Sequence, residues 1–163
     1  MKPFSKSEYK SIFLILSILF VVVFVNMTVS IRRGRDATRK DDISYIQKAL
    51  DTFYQKYRVY PKSTDDGRII GCFNEEIKLD TAGLPTNVTI CEWGESSFEE
   101  IKTMPRDPRA DRGTNYRYIS DGVGYSFYLA LEGEDEAEYT VSIYNQNLQC
   151  GNQICNYGRV VEK

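Results

Sequence analysis

Residues 12–31 read IFLILSILFVVVFVNMTVSI and residues 32–61 continue RRGRDATRKDDISYIQKALDTFYQKYRVYP; how the two blocks join decides the fold. The first block carries no charge, and at about 1.5 Å per residue a helix of this length covers the roughly 30 Å hydrocarbon core of a bilayer. Its polar residues are Ser17, Asn26, Thr28 and Ser30, three of them in the last turns. Lys2, Lys6 and Lys10 precede the block and Arg32, Arg33 and Arg35 follow it, so basic flanks alone do not choose an orientation. A cleaved export signal shares the basic start and the apolar run. Thr28-Val29-Ser30 is nevertheless a poor small-x-small site, with Arg32 and Arg33 close behind it. We read the block as a retained anchor.

After residue 31 no proline appears until Pro61, and Gly34 is the weak point, costing about 1 kcal/mol if helical. Ile43, Ile46, Leu50, Phe53 and Tyr57 recur at steps of 3, 4, 3 and 4, the period of an amphipathic helix, while Asp41, Asp42, Lys48, Asp51 and Lys56 occupy other faces. Pro61 biases the residue before it away from the helical region and ends the helix near residues 58–60. The expectation is one rod from about Ser7 to Tyr57, apolar all round at first and amphipathic afterwards. The alternative is a break at Gly34 between two separate helices. The chain thus divides into a short basic segment (1–11), an apolar helix (12–31), an amphipathic helix (32–60) and a head (61–163).

Charge follows the same division. Residues 1–40 hold eight Lys/Arg against two Asp/Glu, a net +6, and the remainder holds 13 against 21, a net −8. A basic stem with an acidic head suits membrane lipid at one end and solvent at the other. An acidic head also argues against nucleic-acid binding, which needs a basic face. The chain contains no histidine, which removes the commonest general base and metal ligand. No nucleophile–base pair, metal cluster or phosphate loop is visible, so an enzyme is not expected.

In the head, residues 68–71 read as a short strand, 74–90 as an irregular loop, and 97–103 as a short helix capped by Ser96 or Ser97. Tyr125, Phe127, Leu129 and Leu131 alternate with Ser126, Tyr128, Ala130 and Glu132, the pattern of a strand with one buried face. Residues 115–120 and the Tyr139, Val141, Ile143 series read as its neighbours, joined through Asp121-Gly122 and through residues 132–138. The expected fold is α+β: a long N-terminal helix, membrane-spanning in its first half, packed on a small antiparallel sheet. Cys72, Cys91, Cys150 and Cys155 all lie in the head. Four thiols allow three pairings, and local spacing favours Cys72–Cys91 and Cys150–Cys155. A zinc site is the rival, but C-x-x-C knuckles are absent. Disulfides place the head outside the cytoplasm, and with it a cytoplasmic N-terminus in a single-pass membrane protein.

Arg35, Ala37, Arg39, Lys40, Asp42, Ile43, Ile46, Gln47, Ala49, Leu50, Phe53 and Tyr54, followed by Tyr60-Pro61, form the pattern R-x-A-x-R-K-x-D-I-x-x-I-Q-x-A-L-x-x-F-Y. This resembles the type IV pilin and type II secretion pseudopilin superfamily, most closely its major pseudopilins. The likeness extends through Met104-Pro105-Arg106-Asp107-Pro108 and residues 116–131. It implies a pilin-like structural subunit of a pilus or secretion pseudopilus. The implied partners are copies of itself, minor pilins or pseudopilins, and an inner-membrane assembly platform. The same register puts Phe4 at the first mature position and Glu8 at the glutamate that pairs with a neighbouring subunit's N-terminal amine, so these two are the implied filament-assembly residues. Related pseudopilins hold calcium in a head loop, for which Glu132, Glu134 and Asp135 offer carboxylate oxygens. A tethered binding module that never polymerises is the second expectation.

Prepilin peptidase cuts this family after a glycine, and Pro3 stands there instead. Proline restricts the backbone and lacks glycine's close approach to a protease. Cleavage at Pro3-Phe4 is therefore expected to be inefficient or absent. Mass spectrometry of the membrane-extracted protein should find an N-terminal peptide containing Pro3; one beginning at Phe4 contradicts this.

Overall fold

The computed structural model describes residues 5–73 and 76–162. Helix α1 (Lys6–Tyr57) is one unbroken helix of 52 residues, about 78 Å long. It runs straight through Gly34, where an added Cβ would meet nothing within 4 Å, so no close packing demands glycine there. The helix stops at Arg58, which adopts a left-handed conformation (φ 61°) and donates its N–H to the Tyr54 carbonyl at 2.8 Å. Tyr60 and Pro61 then turn the chain into the head.

The two halves of α1 differ completely in environment. Side chains over residues 12–31 are exposed all round, Phe13 at 74% and Phe20 at 70% among them. This part of α1 is apolar enough to cross a membrane. In the second half the buried residues are Asp36, Arg39, Ile43, Ile46, Ala49, Leu50 and Phe53. Apart from Ala49 these fall at steps of 3, 4, 3, 4 and 3, one face of a helix.

That face packs on two small antiparallel sheets. Strands β1 (Lys62–Ser63), β2 (Ile69–Cys72) and β3 (Thr89–Ile90) form the first, in that order. Strands β4 (Arg117–Ser120), β5 (Tyr125–Leu129) and β8 (Tyr157–Val161) form the second, with β5 central. Tyr118 pairs with Phe127 across β4 and β5, and Tyr125 with Val161 across β5 and β8. The β4–β5 turn is held by Asp121, whose carboxylate accepts the Val123 N–H at 2.9 Å. Ile43, Ile46, Leu50 and Phe53 enter one core with Ile69, Phe98, Tyr118, Phe127 and Leu129. Each of these fully buried side chains contributes about 1.5–3 kcal/mol relative to exposure. Aromatic rings fill much of this core, as Phe53 against Phe98 (5.8 Å) and Tyr60 edge-on to Tyr125 (4.8 Å).

Several sequence expectations need correction. Residues 139–143 form no strand: α2 (Val141–Tyr144) is a single helical turn, with Tyr144 N–H bonded to the Thr140 carbonyl at 3.1 Å. Alternating apolar residues over so short a run fit either structure, and Thr140 N–H bonding to the Asn156 carbonyl turns the chain away from the sheet. The third strand is β8, so residues 132–138 are no hairpin connection but a loop folded onto α1. Residues 97–103 form no helix either. Phe98 and Ile101 exchange backbone hydrogen bonds at 2.9 and 2.8 Å around a tight turn with Glu99 at φ 50°, which buries both apolar side chains. Finally, β5 is buried on both faces. Tyr128 and Ala130 pack against Cys150 and Cys155, where a short hairpin of β6 (Gln149–Cys150) and β7 (Gln153–Ile154) covers the outer side of the sheet.

Candidate functional site

At its N-terminus, α1 is closed by its own residues. The Ser5 hydroxyl accepts the Glu8 N–H at 3.3 Å, and the Glu8 carboxylate accepts the Ser5 N–H at 2.5 Å, a reciprocal capping box. Glu8 is thus engaged within its own helix. The S-x-x-E spacing was the available signal for this contact. Phe4 lies outside the described residues, as does Pro3. Within the apolar half, Ser17 donates to the Phe13 carbonyl and Thr28 to the Val25 carbonyl, each at 2.8 Å, so these hydroxyls need no partner from another chain.

The junction of rod and head is built on charge. Arg39 is almost wholly buried, its side chain 1% exposed. Its guanidinium grips the Asp107 carboxylate with two bonds, 2.8 Å from Nε and 3.0 Å from Nη2, and its Nη1 reaches Asp36 at 2.7 Å and Glu132 at 2.9 Å. Asp36 also accepts the backbone N–H groups of Glu132 (3.0 Å) and Gly133 (3.1 Å). Glu132 takes two further bonds from Arg35, at 2.7 and 2.6 Å, and an ion pair from Arg109 at 3.1 Å. Three guanidinium groups face three carboxylates, and each oxygen of Glu132 and Asp107 has a donor. Asp36 and Arg39 continue backwards, by steps of three and four, the same register that places Ile43 and Ile46 in the core. A charged residue does not read as buried, so the apolar pattern alone leaves these two out.

One turn further along α1, the Asp42 carboxylate is half-buried and accepts the Tyr116 hydroxyl at 2.6 Å. Burial pushes both groups up from their ordinary values, while the Tyr116 bond opposes the rise at Asp42. The acidic loop completes the junction. Asp135 meets Arg32 at 2.5 Å and Arg33 at 3.4 Å, and Lys40 meets Glu136 and Glu138 at 3.2 and 3.3 Å. The Lys40–Glu136 pair is part-buried, whereas the Asp135 and Glu138 pairs are exposed and weakened by solvent screening.

Of the three expected calcium ligands, Glu132 and Asp135 face arginines and Glu134 stands on an exposed part of the loop. Among the described residues no group of three acidic, histidine or cysteine side chains is arranged to hold a metal. Guanidinium groups supply at Glu132 and Asp135 the neutralisation that a calcium ion would bring. The four cysteines form two disulfides, Cys72–Cys91 and Cys150–Cys155. The first closes the 19-residue separation that brings β2 to β3, worth about 3 kcal/mol on a chain-entropy argument. The second secures the hairpin over β5.

A single long helix, half naked and apolar, half docked by buried charge on a small disulfide-bonded α+β head, is the class of protein this geometry defines. No family model, no curated protein and no solved structure matches the chain.

The junction has an acid limit. Burial would raise the Glu132 carboxyl, but bonds from Arg35 and Arg39 outweigh it and hold the group down at about 2, against an ordinary 4.5. Its contribution is complete above pH 4.5 and is lost as the pH falls towards 2. Asp42 runs the other way, since a raised carboxyl favours the folded state as acid increases. Denaturation of full-length protein in detergent should lose on the order of 2–3 kcal/mol across that window, and Glu132→Gln should flatten it. Superimposable acid profiles of parent and variant would contradict the assignment.

Proposed function

We propose that this chain is a pilin-like structural subunit that assembles through its N-terminal helix into a type IV pilus or a type II secretion pseudopilus. The observation carrying this reading is the division of α1. Its first half buries nothing within the chain, while its second half is fastened to the head by a buried ion cluster and an apolar stripe. A rigid rod with a free apolar end can exchange lipid for the same surface of neighbouring rods, and burial of apolar area drives that exchange. Before assembly the subunit crosses the membrane once, N-terminus cytoplasmic and head extracytoplasmic, a placement the two disulfides favour. Its partners are further copies, minor pilins or pseudopilins and the membrane assembly platform. No residue performs chemistry, no nucleic acid binds the acidic head, and no metal is required.

One observation favours a second reading, a tethered module that does not polymerise. Glu8, the residue the family uses across subunits, is held by Ser5 of its own helix. Shearing of expressing cells separates the two readings. Polymerisation predicts the full-length chain in sheared filaments, and predicts that Val22→Lys removes filaments while leaving both disulfides formed. A chain found only in the membrane fraction, with no filament by electron microscopy, would overturn the polymer and leave the tethered module.

A further inference from the structure

The helix leaves its apolar stretch at Ile31, and two cavities open on the head side of that point. One, about 420 Å³, lies against Thr28, Val29 and Ile31. The other, about 520 Å³, runs between the acidic loop and the disulfide-bonded tail, past Glu134, Tyr139 and Tyr144. Arg32, Arg109 and Glu132 line both, so the two spaces lie on either side of these residues. The lower space is walled by exposed aliphatic side chains and the upper by charged and aromatic ones.

We propose that the two adjoining cavities bind one glycerophospholipid with a primary ammonium headgroup, a phosphatidylethanolamine, drawn from the surrounding bilayer. The acyl chain lies along Val29 and Ile31, the phosphate faces Arg32 and Arg109, and the ammonium faces Glu134. The proposal rests on residues 12–31 being the membrane span.

Position supports it first. Arg32 is the first charged residue after the apolar stretch, which sets it at headgroup level, where arginine and tyrosine side chains concentrate. Tyr139 and Tyr144 stand in the same wall with rings 6.1 Å apart, and Val141 between them is 61% exposed. Donor capacity supports it next. Among the described residues Arg32 gives one bond, from Nη2 to Asp135, and its Nε–H is buried with no acceptor. The Arg109 guanidinium meets Glu132 through Nη2. A guanidinium has five N–H donors, so both arginines keep several for phosphate oxygens, which they bind in charge-assisted pairs. Charge balance then selects the headgroup. The carboxylates in this wall repel a purely anionic lipid, whereas Glu134 gives an ammonium its counter-ion.

Native mass spectrometry of the delipidated full-length protein, released from detergent after titration with dioleoyl phosphatidylethanolamine, phosphatidylcholine or phosphatidylglycerol, tests this. One phosphatidylethanolamine should be retained under activation that strips the other two. Arg32→Gln should cut its retention about tenfold, the scale of one charge-assisted bond. Glu134→Gln, at an exposed position that leaves folding intact, should abolish the preference for ethanolamine over choline. Equal retention of all three lipids by parent and both variants identifies an unselective lipid annulus and overturns the site. Vesicle flotation keeps the two ideas apart. A chain that floats with vesicles yet shows no lipid preference removes only the lipid site. A chain that fails to float removes the membrane span and the site with it.

Discussion

Everything above the apolar stretch depends on the burial of Arg39. A guanidinium taken out of water costs several kcal/mol unless its donors are met, and four of its bonds meet Asp36, Asp107 and Glu132. These partners come from one turn back on the helix, from the loop before β4 and from the loop that follows β5. The cluster therefore forms only when the head sits at one height and one rotation on the rod. Hydrophobic residues of similar volume often stabilise as well as a buried ion pair does, so the distinctive contribution of this cluster is register. The apolar stripe beyond it along α1 supplies the bulk of the binding energy and would tolerate some sliding; the bidentate Arg39–Asp107 contact would not.

That fixed register matters because the head and the apolar half share one helix. Whatever surface residues 12–31 pack against, the orientation of the head relative to it is transmitted along α1 without a hinge, since Gly34 is helical and the Arg32–Lys40 segment is clamped by the acidic loop. An ordinary amphipathic helix linked flexibly to an anchor would lack this property. It is what a subunit in a helical array requires, and it also holds the cavities beside Arg32 at a constant depth. The disulfides act elsewhere: Cys72–Cys91 braces the first sheet, and Cys150–Cys155 keeps the tail over β5.

Much of the rod was legible in the sequence, and the head less so. The run of residues 12–31 and the stripe from Ile43 to Tyr57 carry two strong periodic signals, and the absence of proline joins them. Asp121-Gly122 marks its turn through side-chain bonds that act over three residues, which local sequence encodes. Strand β8 is different: Tyr157-Gly158-Arg159-Val160-Val161 has little alternation and takes its place because β5 offers an edge. The reverse holds for residues 139–143, whose alternation is real but which turn away from the sheet where the Thr140 N–H bonds the Asn156 carbonyl. Asp36, Arg39 and Asp107 are polar residues with long-range partners, and no local pattern announces a contact across 68 positions. The Ser5–Glu8 cap is legible as a spacing of three, whereas the family resemblance implies another use of Glu8.

The central claim is that the Arg39–Asp107 pair locks the head onto the rod. A double-mutant cycle with Arg39→Met, Asp107→Leu and the combined variant, followed by chemical denaturation of the full-length protein in detergent, measures it directly. Each single change should destabilise by about 3–5 kcal/mol, since it strands a buried charge, and the double variant should recover at least about 2 kcal/mol of the summed loss. Strictly additive losses, or single variants as stable as the parent, would contradict the account.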